Sequence, residues 1–317
     1  MQPSGELHIG NLECALKNWA RLQDDYNMYC CIVDWHTLTA DYKETGLLKE
    51  RVYQMAIDYL AAGLDPKKCA IFVQSDVKEH AELHLIFSML VTVPTLTRLP
   101  TFVEKQEQKG LDSYGFLGYP ILQAADICIY NAHKVPVGKD QEKHIWLAAD
   151  IAKRFNNTYG ETFIEPQALF TPIPLIPGTD NRKMSKSYNN HLPIATTAED
   201  TTKRLKKMYT DPEKLRKNDP GHPEKCPVFQ LHRVYTPEAE KVIAPPCRTG
   251  ELGCVECKMK LAENLNNSLA PIREKRVELE KQPDYIWDVL KNGGNRARTR
   301  AQEVMDKVQT AMKMKYR

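Results

Sequence analysis

Two short segments of this 317-residue chain have residue types that could handle phosphate. The first is Gln2-Pro3-Ser4-Gly5-Glu6-Leu7-His8-Ile9-Gly10-Asn11, with a helical pattern from Leu12 to Leu22 directly after it. Small residues ahead of a helix start let backbone N–H groups approach an anion, and the helix end adds partial positive charge. His8 adds a side-chain donor at the same place. By itself such a turn is more often structural than functional. The second segment is Asn181-Arg182-Lys183-Met184-Ser185-Lys186-Ser187, which follows an apolar run and a Pro-Gly turn. Two lysines three residues apart, with a hydroxyl between them, make a cationic clamp that can stabilise charge on a departing pyrophosphate. Alone, these residues also describe a solvated surface loop.

A third segment offers an acceptor. Tyr119, Gln123, Asp126 and Tyr130 recur at i, i+4, i+7 and i+11, so they share one helix face among small and apolar neighbours. A carboxylate there is costly unless something pairs with it. Asp126 is therefore either a structural hydrogen-bond partner or the acceptor of a pocket whose guest only donates, as an indole N–H does. Next, Val135-Pro136-Val137-Gly138-Lys139-Asp140-Gln141 reads as a strand ending at a glycine, with an acid and an amide opening a helix. Ligands of open parallel sheets sit at such strand ends. Asp140 equally suits a helix N-cap.

Nine cysteines divide into two groups. Cys14, Cys30, Cys31, Cys69 and Cys128 lie in apolar or helical runs and read as buried thiols. Cys226, Cys247, Cys254 and Cys257 fall within 32 residues, with 20, 6 and 2 residues between them, and Gly221 and Gly253 supply turns. That spacing reads as a metal site, zinc or iron–sulfur.

These segments need a scaffold. The runs 28–35 (MYCCIVDW) and 70–76 (AIFVQSD) read as buried strands. Between them LLKERVYQMAIDYLAAGLDP has apolar residues at helical spacing and stops at Gly and Pro. The runs 134–138 and 173–177 add strand candidates. Strand–helix–strand alternation predicts a doubly wound parallel α/β sheet, Rossmann-like. After about residue 190 the patterns are helical and rich in Lys and Glu. The expected division is an α/β domain at 1–195, closed by the lysine loop, and an all-α domain at 196–317. A hydrophobic content of 42% supports two cores. The net charge of +3 neither requires nor excludes a nucleic-acid partner. Eight basic residues between Lys291 and Arg317 suit RNA phosphate contacts. No run of about 18 apolar residues exists to span a bilayer, and the start lacks a secretion pattern. A cytoplasmic protein with no membrane or DNA partner is expected.

In order and spacing, QPSGxxxIGN, Val33-Asp34-Trp35-His36, FVQS (72–75), YPxLxAAD (119–126), VPVGxDQ and KMSKS resemble the tryptophanyl-tRNA synthetases. These are class I aminoacyl-tRNA synthetases with HxGH and KMSKS signatures; Asn11 stands for the second histidine. The resemblance covers nearly the whole chain. It implies activation of L-tryptophan by ATP as an adenylate, then transfer to tRNA(Trp). By position, Gln2, Pro3, Ser4, Gly10, Asn11, Gly138, Lys139, Asp140, Lys183, Met184, Ser185, Lys186 and Ser187 would bind ATP. His8, Asn11, Lys183 and Lys186 would act on its phosphates, with Mg²⁺ held mainly by phosphate oxygens. Asp126 would accept the indole N–H, and Tyr119, Gln123, His36 and Gln141 would complete the pocket. The resemblance also implies a homodimer, with the helical domain reading the anticodon. Asp219–Val228 (DPGxPExCPV) and Gly253–Lys258 (GCVxCK) resemble bacterial members in which four cysteines, here Cys226, Cys247, Cys254 and Cys257, hold a 4Fe–4S cluster. Iron–sulfur is expected over zinc.

Two departures stand out. Family members often carry Met where Gln123 stands, and a Gln-and-Asp pair also resembles tyrosyl-tRNA synthetases. The family has a short strand before Gln2, so a truncated or misplaced start is expected. The competing readings are a tyrosine–tRNA ligase, a nucleotidyltransferase making a small-molecule adenylate, and a non-catalytic RNA-binding paralogue.

Overall fold

The buried strands form where apolar, β-branched residues run without interruption. In the computed structural model of the protein, Met28–Ile32 is strand β1 and Cys69–Val73 is strand β2. They pair in parallel, from Met28 opposite Cys69 to Ile32 opposite Val73. Every residue of β2 is buried, as a strand covered on both faces requires. The structure describes residues 1–171 and 175–316, without the side chains of Lys105, Gln108, Lys109 and Ser187.

Helix Leu48–Ala61 makes the β1–β2 crossover and buries Val52, Met55, Ala56, Tyr59 and Leu60. The chain turns out of it at Gly63, whose φ of 103° favours glycine. A second parallel pair joins β3, Lys134–Val137, to β4, Gln167–Phe170, through helix Glu142–Tyr159. Parallel pairs bridged by helices are the α/β architecture that the alternation predicts. Strand β1 stops earlier than the run 28–35 suggests, because Asp34 opens helix Asp34–Asp41. Its Oδ1 accepts the backbone N–H groups of Trp35 and Ser75, both at 3.0 Å. Strand β4 has no uninterrupted apolar run and escaped the sequence reading. Of the run 173–177, residues 173 and 174 lie outside the described residues; Pro177 forms an isolated bridge with Lys183. Met1 lies beside the end of β1: its ammonium donates to Cys31 O at 2.7 Å, and Val33 N donates to Met1 O at 2.9 Å.

Beyond Ile194 the described residues form helices and no strand. Two are long, Cys254–Glu280 and Pro283–Ala311. They do not pack apart from the sheet. One buried cluster joins Leu7, Ile9 and Met55 to Leu261, Leu265 and Leu269. Another joins Phe72, Phe87 and Phe155 to Ala297, Ala301 and Val304. The last helix crosses β2 so closely that a Cβ on Gly293 would stand 1.9 Å from Ile71 O. Arg296 donates to Pro66 O at 2.8 Å, Arg298 to Asp76 O, and Arg300 to Tyr130 O at 3.4 Å. Three basic residues expected to meet RNA therefore clip this helix to backbone carbonyls. Helix Cys254–Glu280 is pinned by Arg276, which pairs with buried Asp58 and donates to Gln54 Oε1 at 2.6 Å.

Candidate active site

The two phosphate-handling loops, far apart in sequence, meet in space. Ile9 N donates to Leu192 O and Ile194 N to Leu7 O, each at 3.0 Å. This stitching brings the segment after the lysine loop against the one opening the chain. Lys186 Nζ donates to Gly5 O at 2.8 Å. Burial lowers the Lys186 pKa to about 8; Arg51 adds to that, and Asp58 and Glu6 oppose it. Met184 is buried, its Sδ 3.8 Å from where a Cβ on Gly10 would stand. Lys183 Nζ reaches Asp140 Oδ2 at 3.0 Å, which brings in the β3 end. Gly138 lies close by: a Cβ there would sit 2.8 Å from Asp140 Oδ1, so the carboxylate reaches back over the strand end.

His8 is buried, and its Nδ1 has no partner among the described residues. Burial, then Lys186 and His191, lower its pKa to about 3, so it enters the site neutral. Asn11 Oδ1 accepts from His8 N at 3.1 Å and caps the helix. Pro3 is buried, and Gln2 and Ser4 are exposed. Lys139 turns away: its Nζ pairs with Glu142 at 2.8 Å and lies 4.6 Å over the Phe170 ring. The side chain of Ser187 lies outside the described residues. Sequence reasoning missed Asn190, the buried hub of the lysine loop. It accepts Ser185 N at 2.8 Å and donates to Asp180 Oδ1 at 2.7 Å and Lys183 O at 3.0 Å. An amide in a polar loop carries no pattern that would single it out.

On the amino-acid side, Asp126 is the centre. His80 Nδ1 lies 2.6 Å from its Oδ1 and His36 Nε2 lies 2.9 Å from its Oδ2. Gln74 Nε2 spans both oxygens at 2.8 and 2.9 Å. Burial would raise the carboxylate's pKa, but His80 and His36 outweigh it and hold the group well below the usual range. Three nitrogen donors thus make four contacts, two on each oxygen, and the side chain still keeps 13% of its surface exposed, the edge a guest could reach. Gln123 Nε2 is 3.5 Å from Gln141 Oε1. The Tyr119 hydroxyl lies 2.7 Å from Thr101 Oγ1 and 3.2 Å from His144 Nε2, which leaves its ring rather than its hydroxyl for a guest. Gln74 and His80 were not among the candidates; Gln74 sat unassigned in FVQS, and His80 had no signal. Two hollows of about 830 and 250 Å³ lie elsewhere, lined mainly by the last two helices and residues 161–162 or 195–197.

The family described as tRNA synthetases class I (W and Y) matches residues 1–270. The tryptophan–tRNA ligase of Thermotoga maritima is 45% identical over 100% of this chain and 98% of its own. The chain belongs to the class I tRNA synthetases, in the tryptophan–tRNA ligase family. The Aquifex aeolicus ligase is 40% identical over 99% of this chain and 98% of its own. A crystal structure of tryptophanyl-tRNA synthetase from Campylobacter jejuni, complexed with ADP and tryptophan, matches with a TM-score of 0.87. Its identity is 35%, and 98% of each chain is covered. The chain is an aminoacyl-tRNA ligase of a class that uses ATP and Mg²⁺.

This synthetase gathers its second cysteine group into one neighbourhood. Burial raises the Cys226 thiol, and Cys254 adds to that. Cys247 is raised by burial and by Cys226 and Cys254, against Lys214. Cys257 is pushed up to about 12 by burial and by the other three. A Cβ on Gly221 would stand 2.7 Å from Cys247 Sγ, so the backbone folds directly over the thiols. As the side chains stand, no three His, Cys, Asp or Glu among the described residues form a metal-holding group.

Proposed function

We propose that this synthetase activates L-tryptophan in a site where Asp126 receives the indole N–H and Lys186 grips the triphosphate. The observation that carries this reading is the meeting of Lys186 with Gly5, together with the partly exposed carboxylate of Asp126. The tryptophan carboxylate attacks the α-phosphorus in line; the acyl–phosphate bond forms, the α–β anhydride breaks, and pyrophosphate leaves. The protein supplies position and charge. Lys183 and Lys186 stabilise the pyrophosphate. His8, Asn11, Gln2, Pro3, Ser4, Gly10, Gly138, Asp140, Met184 and Ser185 line the nucleotide side, and the resemblance adds Lys139 and Ser187. Mg²⁺ would be held mainly by phosphate oxygens and would offset their charge. Tyr119, Gln123, His36 and Gln141 surround the guest, His36 by holding Asp126. The terminal ribose hydroxyl of tRNA(Trp) then attacks the adenylate carbonyl; the ester bond forms, the acyl–phosphate bond breaks, and AMP leaves with the hydroxyl's proton passing to it or to water. Residues 1–195 would carry this chemistry and 196–317 would face the anticodon, in a cytoplasmic homodimer.

Amino-acid-dependent ATP–pyrophosphate exchange, run separately with tryptophan and tyrosine, tests this. Exchange with tryptophan alone is expected; exchange driven by tyrosine would reject it. The tyrosine reading needs Gln123 and Asp126 to act together on a phenol. The 45% and 40% identity to the two tryptophan–tRNA ligases favours tryptophan instead.

For Cys226, Cys247, Cys254 and Cys257 we propose a 4Fe–4S cluster. Its support is that the other three thiols all act on Cys257, and that Cys226 and Cys254 act on Cys247. Lys214, Lys258 and Lys260 supply compensating charge. Rotation of the side chains would be needed to complete the ligand set. Anaerobic purification, metal analysis and an absorbance spectrum test this. Stoichiometric zinc with no broad band near ~400 nm would refute it.

A further inference from the structure

The carboxylate of Asp126 is held by three side chains, and one of them is itself held. His80 is fully buried. Its Nδ1 makes the shortest of the four contacts to the carboxylate, 2.6 Å. Its Nε2 lies 2.7 Å from the Tyr130 hydroxyl. Tyr130 comes four residues after Asp126, and its ring stacks on Tyr29 at 4.3 Å between centroids. Asp126, His80 and Tyr130 thus close a ring of contacts that begins and ends on one stretch of chain. The pairing fixes the tautomer. An imidazole that donates from Nδ1 to a carboxylate must accept at Nε2, and the Tyr130 O–H is the donor that meets it. His36 and Gln74 approach from the ends of β1 and β2, and the Gln74 Oε1 accepts only a long contact from His36 N, at 3.4 Å.

We propose that His80 is a positioning residue for amino-acid specificity: it fixes Asp126 so that the exposed edge of the carboxylate faces the indole N–H. This rests on the reading of Asp126 as the indole acceptor. The residue touches no substrate and acts only through Asp126. Its consequence is specific. Loss of His80 lets the carboxylate rotate, which weakens recognition of the N–H more than it weakens ATP binding. Sites built around a substrate's N–H reject analogues that lack it, because the protein group is left unpaired.

The test uses the full-length synthetase and two amino acids, tryptophan and its benzothiophene isostere, in which sulfur replaces the N–H. The quantity read is the ratio of their kcat/KM values in ATP–pyrophosphate exchange, with the KM for ATP as control. His80→Asn places a nitrogen donor near Nδ1, and His80→Gln places one near Nε2. The wild type is expected to prefer tryptophan by about a hundredfold or more. His80→Asn is expected to keep that ratio within about threefold. His80→Gln is expected to lower it at least about tenfold, with the KM for ATP unchanged, a loss of about 1.4 kcal/mol of discrimination. A ratio equal in the two variants overturns the proposal, because a merely structural histidine would not distinguish the two nitrogen positions. If the wild type itself shows no preference, the Asp126 reading fails instead. Should either variant fail to fold, His80→Ala decides. It removes the donor to Asp126 altogether, and an unchanged ratio there overturns the proposal.

Discussion

Replacing Lys186 with Met should stabilise the nucleotide-free protein while removing its activity. Lys186 sits largely buried against Gly5 O, and burial is the main cause that brings its pKa from 10.5 to about 8. At about 1.4 kcal/mol for each factor of ten in acidity, holding it charged at pH 7 costs at most about 3 kcal/mol. Solvent reaching part of the side chain reduces this to about 2 kcal/mol. The methionine loses one hydrogen bond, worth about 1 kcal/mol. The net gain is about 1 kcal/mol, or about 2–3 °C in Tm for a chain of this size. The sign follows from the proton balance. Below pH 8 the lysine is charged in both folded and unfolded chains, and the cost is complete. Between pH 8 and 10.5 the folded lysine is neutral and the unfolded one is not, so wild-type stability rises relative to the variant. Thermal melts at pH 7 and pH 10, paired with ATP–pyrophosphate exchange at neutral pH, check this. The variant should melt higher at pH 7, lose that advantage at pH 10, and show exchange reduced by about a hundredfold or more. A variant that melts lower at pH 7, or that keeps normal exchange, refutes the reasoning.

Lys183→Ala should cut exchange steeply and leave tryptophan affinity nearly unchanged, as equilibrium binding would show. Because the Lys183–Asp140 pair is half exposed, its stability should stay within about 0.5 kcal/mol of wild type. Gly293→Ala should cost about 3 kcal/mol or prevent soluble expression, since the new Cβ would stand 1.9 Å from Ile71 O; a urea midpoint equal to wild type would contradict the helix–strand contact. Arg276→Met should destabilise with a pH signature. Burial pushes Asp58 up to about 7 even with Arg276 beside it, and losing the arginine raises it further. Below pH 7 the acid is protonated in both folded proteins, so the deficit should be smaller at pH 6 than at pH 9, where it approaches about 3 kcal/mol. Chemical denaturation at the two pH values measures it.

The sequence was most legible where one residue's neighbours in the chain are also its neighbours in space. The five buried residues of β2 announce themselves as an apolar run. Strand β1 was overrun by three residues because Val33 and Trp35 continue the same pattern. Only a contact with Ser75, 41 residues on, makes Asp34 a helix start. The arginines of the last helix were legible as charge, but charge patterning does not reveal that they also donate to the carbonyls of Pro66, Asp76 and Tyr130.

Asp126 shows why the site was half legible. Its cost as a carboxylate on an apolar helix face demands a partner, and periodicity alone leaves two answers, a structural contact or a pocket acceptor. The fold makes these compatible. His36, His80 and Gln74 come from three different elements, 90, 46 and 52 residues away in sequence. They satisfy the charge well enough for it to persist in the core, and 13% of its side-chain surface stays exposed. A polar group buried without them would be expelled or neutralised, and one sealed off on every side would have nothing left to recognise. The chemistry of the guest is therefore set less by the acid, which the helix pattern displays, than by how the donors around it are placed. That placement depends on long-range packing, so a histidine with no motif around it decides what a well-marked aspartate can do.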